Sequence, residues 1–245
     1  MTDSTLSVER GVPELTPTEC LIDFAIVFAV SGLAFFLEDI AIARGWIPFG
    51  AEVRGATSMV AGAIAAICVV LTRGGTFSDL GFRRPERWKL VPLQVAGVLG
   101  AFIAVQLLAP LLVSSFISLP EPDLSRYDSI GGNPGAAIAM VLILPLTASI
   151  PEEIIFRGFL IGRLTEILGR NIAGSAIAVS VQALVFGAFH FQWGVGGVIL
   201  TVMMGVVWGI AYMLCGRNLW IVILAHSTGH ILFVFQLYLA KPVAF

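Results

Sequence analysis

The sequence predicts an all-α polytopic membrane protein with about seven to eight transmembrane helices, and three observations carry that prediction. Hydrophobic residues make up 58% of the 245-residue chain and charged residues only 12%, with a mean hydropathy of +0.95. So few charges cannot cover a water-exposed surface. Apolar stretches of about 20 residues, the length that crosses a hydrocarbon core about 30 Å thick, recur along the chain. Short polar turn signals, Gly169-Arg170-Asn171 and Gly216-Arg217-Asn218, join the later stretches into antiparallel helical hairpins.

The first nineteen residues are polar and acidic and lack the basic start and short apolar core of a cleavable signal peptide. Residues 1–20 are therefore read as a polar N-terminal segment and residues 21–245 as a single transmembrane domain, with the first helix as insertion signal. Seven spans follow, near 21–37, 56–72, 90–118, 136–158, 173–190, 196–215 and 219–239. The third is long and contains Pro110, which allows a tilt, a kink or two pieces. An eighth helix is an option around 38–54.

Fourteen Lys and Arg against sixteen Asp and Glu give no nucleic-acid footprint. Cys20, Cys68 and Cys215 are scattered, odd in number and show no CxxC spacing, so neither a disulfide framework nor a cysteine metal site is indicated.

Basic residues set the orientation. Arg73, Arg83, Arg84, Arg87, Lys89, Arg163, Arg170 and Arg217 fall on one side under alternating topology, with Arg10 and Arg157 counted there too. Arg44, Arg54, Arg126 and Lys241 fall on the other, where the 120–133 loop is acidic through Glu121, Asp123 and Asp128. The expectation is an integral membrane protein of a prokaryotic inner membrane with a cytoplasmic N-terminus. Trp88 and Trp220 then belong near the inner interface and Trp193 near the outer one.

Against this apolar background six ionisable residues stand out: Glu152, Glu153, Arg157, His190, His226 and His230. A charged group in hydrocarbon costs at least about 2.5–3.5 kcal/mol on insertion scales, so it is kept there when partnered or used. Glu152 lies 18 residues before Arg170 and His190 lies 20 after it, which puts both about 27–30 Å from the hairpin turn at matching depth. His226 and His230 share one face of the last helix, about 13 and 20 Å from their own turn. They reach the same layer only if the first hairpin extends one to two helical turns past the second.

Spacing divides the labour within the glutamate pair. Glu153 and Arg157, four residues apart, form an ion pair along one face. Glu152 points about 100° away and stays available. A carboxylate in a water-poor cavity accepts protons more readily near neutral pH, so Glu152 can take a proton from a trapped water while His190 holds that water or shuttles the proton. Phe186, one turn before His190, fixes the imidazole by packing. Taken singly, a membrane Glu–Arg pair is as often glue between helices, and Gly205-x-x-x-Gly209 and Gly174/Ala178 read as close-packing surfaces. Concentration in one four-helix unit favours a site.

Three stretches, Glu152-Glu153-Ile-Ile-Phe-Arg157-Gly158, Phe186-Gly-Ala-Phe-His190 and Leu219-Trp220-Ile-Val-Ile-Leu-Ala225-His226, resemble the motifs of the CPBP intramembrane proteases, also called the CAAX-protease and bacteriocin-processing (Abi) family. The resemblance covers roughly 136–235. It implies an all-helical membrane protease whose water is activated by Glu152 with His190 as partner, and Glu153 and Arg157 in support. It also implies an oxyanion pocket lined by His226 and the residue four positions on. The family usually has Asn or Asp there, whereas this chain has His230. That departure opens a zinc reading, because histidines at i and i+4 are a zinc-ligand spacing that His190 or Glu152 could complete. No obligatory metal is expected, since glutamate and water suffice. The implied substrate is a peptide or protein at the membrane, with lipidation left open. Two other classes stand beside the protease: an inactive binding or immunity module, and a proton-coupled carrier, for which buried Glu and His would also serve.

Overall fold

A computed structural model describes residues 15–47, 54–114 and 120–240. Seven apolar helical segments traverse it: α1 (Pro17–Ala43), α2 (Ala56–Thr72), α3 (Val91–Ser114), α4 (Pro134–Leu168), α5 (Ile172–Ala188), α6 (Gly194–Leu214) and α7 (Leu219–Leu239). Five are long and apolar enough to cross a membrane, and α2 and α5, at 17 residues each, sit at the lower limit of a span. The chain is an integral, all-helical membrane protein. No strand occurs among the described residues.

Helix starts follow from local chemistry. Thr16 and Glu19 form a capping box around Pro17, and Asn133, Asn171 and Asn218 each accept a backbone N–H at the first turn of α4, α5 and α7. Both Gly-Arg-Asn turns thus end in an asparagine cap. The start of α2 is capped from another helix: the buried Glu38 carboxylate accepts Gly55 N–H at 2.8 Å and the Thr57 hydroxyl at 3.1 Å.

Several boundaries differ from expectation. α1 begins at Pro17 and absorbs 38–43; 44–47 form a turn and bend, and the rest of the considered eighth helix, 48–53, lies outside the described residues. α3 is one helix with Pro110 inside it, and its expected end at 115–118 lies outside them as well. α4 is 35 residues long, about 52 Å. Its interior widens into π-helix over Pro145–Ser149 and Glu153–Ile161. Pro145 and Pro151 lack the N–H of a regular ladder there, a local reason for the irregularity.

Loops tie together at two opposite ends. At one, the Arg126 guanidinium donates to the Arg54 carbonyl and Asp123 N–H to the Trp193 carbonyl. At the other, Leu219 N–H donates to the Gly81 carbonyl and the Asn218 amide to the Arg83 carbonyl. Gly81, at φ +97°, passes so close that a Cβ would lie 2.6 Å from the Arg217 carbonyl oxygen. The 73–89 loop is therefore more than a polar interruption: its Leu80 is 1% exposed and seals this end.

At the same end buried Asp23 holds two arginines, Arg73 at 3.1 Å and Arg163 at 3.1 Å, and Arg163 also pairs with Glu166. The Arg217 guanidinium donates to Thr165. With Leu219 against Gly158 and the Arg217 side chain reaching Thr165, the first hairpin extends beyond the second at this end. The glycine expectation concerns packing: Cβ atoms at Gly205 and Gly209 would press on Ala183 and Val179 of α5 at 2.9 Å.

Candidate active site

The widened part of α4 turns its two glutamates in different directions. Glu153 is fully buried, 3.2 Å from Arg157 and 2.7 Å from His226 Nδ1. Its carboxylate therefore serves two partners, one on its own helix and one on α7. Arg157 is also fully buried, and its guanidinium lies over the Phe186 ring at 4.6 Å. Glu152 faces a cavity instead, 3.8 Å from His226 Nε2.

That cavity has a volume of about 710 Å³ and is walled mainly by apolar side chains of α1, α2, α3, α4, α6 and α7, such as Phe35, Met59, Phe102 and Met140. Its polar lining includes Glu152, His190, His226 and His230. Toward one end of the protein it is bordered by Arg54, Pro122, Arg126 and Gln192, all in the loops tied together there.

Each imidazole is anchored through Nδ1. His190 Nδ1 is 2.8 Å from the Phe186 carbonyl oxygen, and its ring packs on Phe186 at 4.7 Å and on Trp193 at 5.0 Å. His226 is held by Glu153 and stacked at 5.0 Å and 21° on Trp208. His230 Nδ1 is 2.8 Å from Ser149 Oγ, with the His226 ring 4.6 Å away. All the residues singled out from the sequence thus meet in one layer. The histidine within 4 Å of Glu152 is His226, whereas the spacing argument paired Glu152 with His190.

Several contributors escaped the sequence reading. Trp208, fully buried, is the platform for His226. Trp193, expected as an outer interfacial anchor, lines the cavity against His190. Ser149 carried no motif signal, although two prolines bracket it.

The zinc donor set does not fit. Among the described residues no three of His, Cys, Asp or Glu are arranged to hold a metal ion.

No curated relative and no solved structure matches the chain. A family model described as "Type II CAAX prenyl endopeptidase Rce1-like" matches residues 134–232, which span α4, α5, α6 and most of α7. That stretch holds Glu152, Glu153, Arg157 and the three histidines, and over residues 134–232 the chain is similar to the Rce1-like family of CAAX-type membrane endopeptidases.

Proposed function

We propose that the protein is an intramembrane endopeptidase that hydrolyses a peptide bond of a membrane-associated or tail-end substrate with a water activated by Glu152. The observation that carries this reading is the convergence of Glu152, His190, His226 and His230 on one apolar cavity, with Glu153 and Arg157 locked behind it. Residues 21–245 act as one domain whose catalytic core is about 136–235.

In this mechanism Glu152 takes a proton from water held against His190, and the hydroxide attacks the scissile carbonyl carbon. The carbonyl π electrons move to oxygen, and His226 and His230 stabilise the oxyanion. The Glu153 carboxylate at His226 Nδ1 orients that ring so that its Nε2 edge faces Glu152 and the reacting carbonyl. Collapse breaks the C–N bond as Glu152 returns its proton to the leaving amine. Every residue used is the chain's own, so the cycle closes without a metal.

The positive charge bias supports a cytoplasmic N-terminus. Arg157 sits in the site and says nothing about orientation, and Arg10 and Lys241 lie outside the described residues. In that orientation the Arg54/Arg126 end of the cavity is external. An extended apolar cavity suits a peptide carried at the membrane, with or without a lipid. The test compares protein termini in cells making the wild type or Glu152→Ala: cleavage products that vanish with the variant identify substrates, and an unchanged set of termini sinks the proposal.

A further inference from the structure

The site's three histidines each place Nδ1 against a different kind of partner, and that of His230 is the Ser149 hydroxyl. Hydroxyls on these helices have a common habit. Those of Thr147, Thr165, Ser180, Thr201 and Thr228 each donate to the carbonyl four residues back, at 2.8–3.0 Å. Ser149 departs from it. The carbonyl four residues before it, that of Pro145, accepts Ile150 N–H in the π-helical turn, and the Ser149 hydroxyl points across to His230 Nδ1 at 2.8 Å.

Ser149 is fully buried, so an unused hydroxyl proton there would be costly. A hydroxyl has one proton to give, and a neutral imidazole has one bare nitrogen to receive it. The other two rings face the opposite situation. The Phe186 carbonyl next to His190 and the Glu153 carboxylate next to His226 only accept, so both Nδ1 atoms carry protons.

We infer that Ser149 is a positioning residue that donates its proton to His230 Nδ1 and thereby holds His230 with its proton on Nε2, as a hydrogen-bond donor toward the cavity. His190 then presents a bare Nε2 to a water, and His230 presents an N–H to a developing oxyanion. The pair supplies with a serine and an imidazole the donor that an amide would give alone. The catalytic consequence rests on the mechanism proposed above; the tautomer itself does not.

Because the chain has three histidines, ring-nitrogen NMR on ¹⁵N-histidine-labelled protein in nanodiscs can resolve them. At about pH 8, where an ordinary imidazole is neutral, wild-type His230 should be Nε2–H and His190 Nδ1–H. Ser149→Ala should convert His230 to a mixture or to Nδ1–H. His230 found as Nδ1–H in the wild type, or unaltered in Ser149→Ala, overturns the inference. Turnover gives the second readout. Ser149→Ala should lower kcat about 10–100-fold with little change in KM, and should lower it less than about twofold when added to His230→Asn, whose amide needs no serine. An equal loss in both backgrounds means that Ser149 acts otherwise, and the inference falls. An inactive Glu152→Ala with this coupling present supports both readings; an active Glu152→Ala beside a correctly assigned His230 tautomer removes the proposed mechanism alone.

Discussion

Removing Glu153 should produce two losses that can be separated. Its carboxylate is fully buried between Arg157 at 3.2 Å and His226 Nδ1 at 2.7 Å. Glu153→Ala leaves a guanidinium uncompensated where no water reaches it. Deleting one partner of a buried pair costs about 3–5 kcal/mol, because the remaining charge stays desolvated. For a chain of this size that corresponds to a fall in Tm of about 6–20 °C. A second change, Arg157→Met, removes the stranded charge while filling similar volume, so Glu153→Ala/Arg157→Met should recover most of the stability. Activity should not follow. Without the Glu153 carboxylate, His226 loses the bond that orients it toward Glu152, and misplacement of a catalytic group by about 1 Å costs on the order of 10²-fold in rate. Thermal unfolding in detergent and turnover of an identified substrate are measured on the same three proteins. A stable double variant with wild-type turnover would falsify the claim that Glu153 positions His226, and a single variant as stable as wild type would remove the buried-charge argument.

Three further outcomes are expected. Glu152→Ala should reduce kcat by about 10²–10⁴-fold and leave Tm nearly unchanged, since it keeps the Glu153–Arg157 pair; near-normal turnover would discard the assigned base. His230→Asn should stay within about tenfold of wild-type activity as an alternative donor, with bound zinc measured on the same samples; loss of activity together with a stoichiometric zinc present in the wild type would replace the water-and-glutamate mechanism by a metal one. Reporter fusions in the 73–89 loop and at Gly216-Arg217 should read cytoplasmic, and those in 120–133 and after Lys241 external; reversal at both inner turns refutes the orientation.

How much of this was readable in the chain depends on whether a signal is local. Seven apolar stretches map onto seven helical segments because span length is a property of consecutive residues. Glu153 and Arg157 were legible as a pair because their spacing of four lies within one helix. The third partner, His226, was not, since nothing in a sequence ties a carboxylate to an imidazole 73 positions away except shared depth. Depth estimates brought His190 and Glu152 to one layer but could not choose between His190 and His226 as the near neighbour, a difference of side-chain direction. The π-helical stretches of α4 were hidden by the assumption of a regular 3.6-residue period, and Ser149 was hidden with them. Asp23 and Glu38, both buried, carry no motif signal. Their partners, Arg73 and Arg163 for one and the start of α2 for the other, come from elsewhere in the fold.

Those overlooked carboxylates also bear on the carrier reading. A proton-coupled carrier must open its buried site to each side in turn, which requires the helices around it to part at both ends. The cavity here is bordered by the Arg54/Arg126 loops at one end. At the other, Asp23 of α1 binds Arg73, just past α2, and Arg163 of α4, while Leu80 is buried beneath Gly158 of α4, where a Cβ would lie 2.6 Å from the Leu80 carbonyl oxygen. Opening that end would break both arms of the Asp23 ion triad and strip Leu80 from its packing under Gly158. Moving α4 would also pull on Glu153, and through it on His226. A hydrolase has no such requirement: substrate and product can use the same mouth, and the closed end becomes the rigid floor against which Glu152 and the imidazoles are held. The features that make alternating access expensive are the ones that preorganise a hydrolytic site.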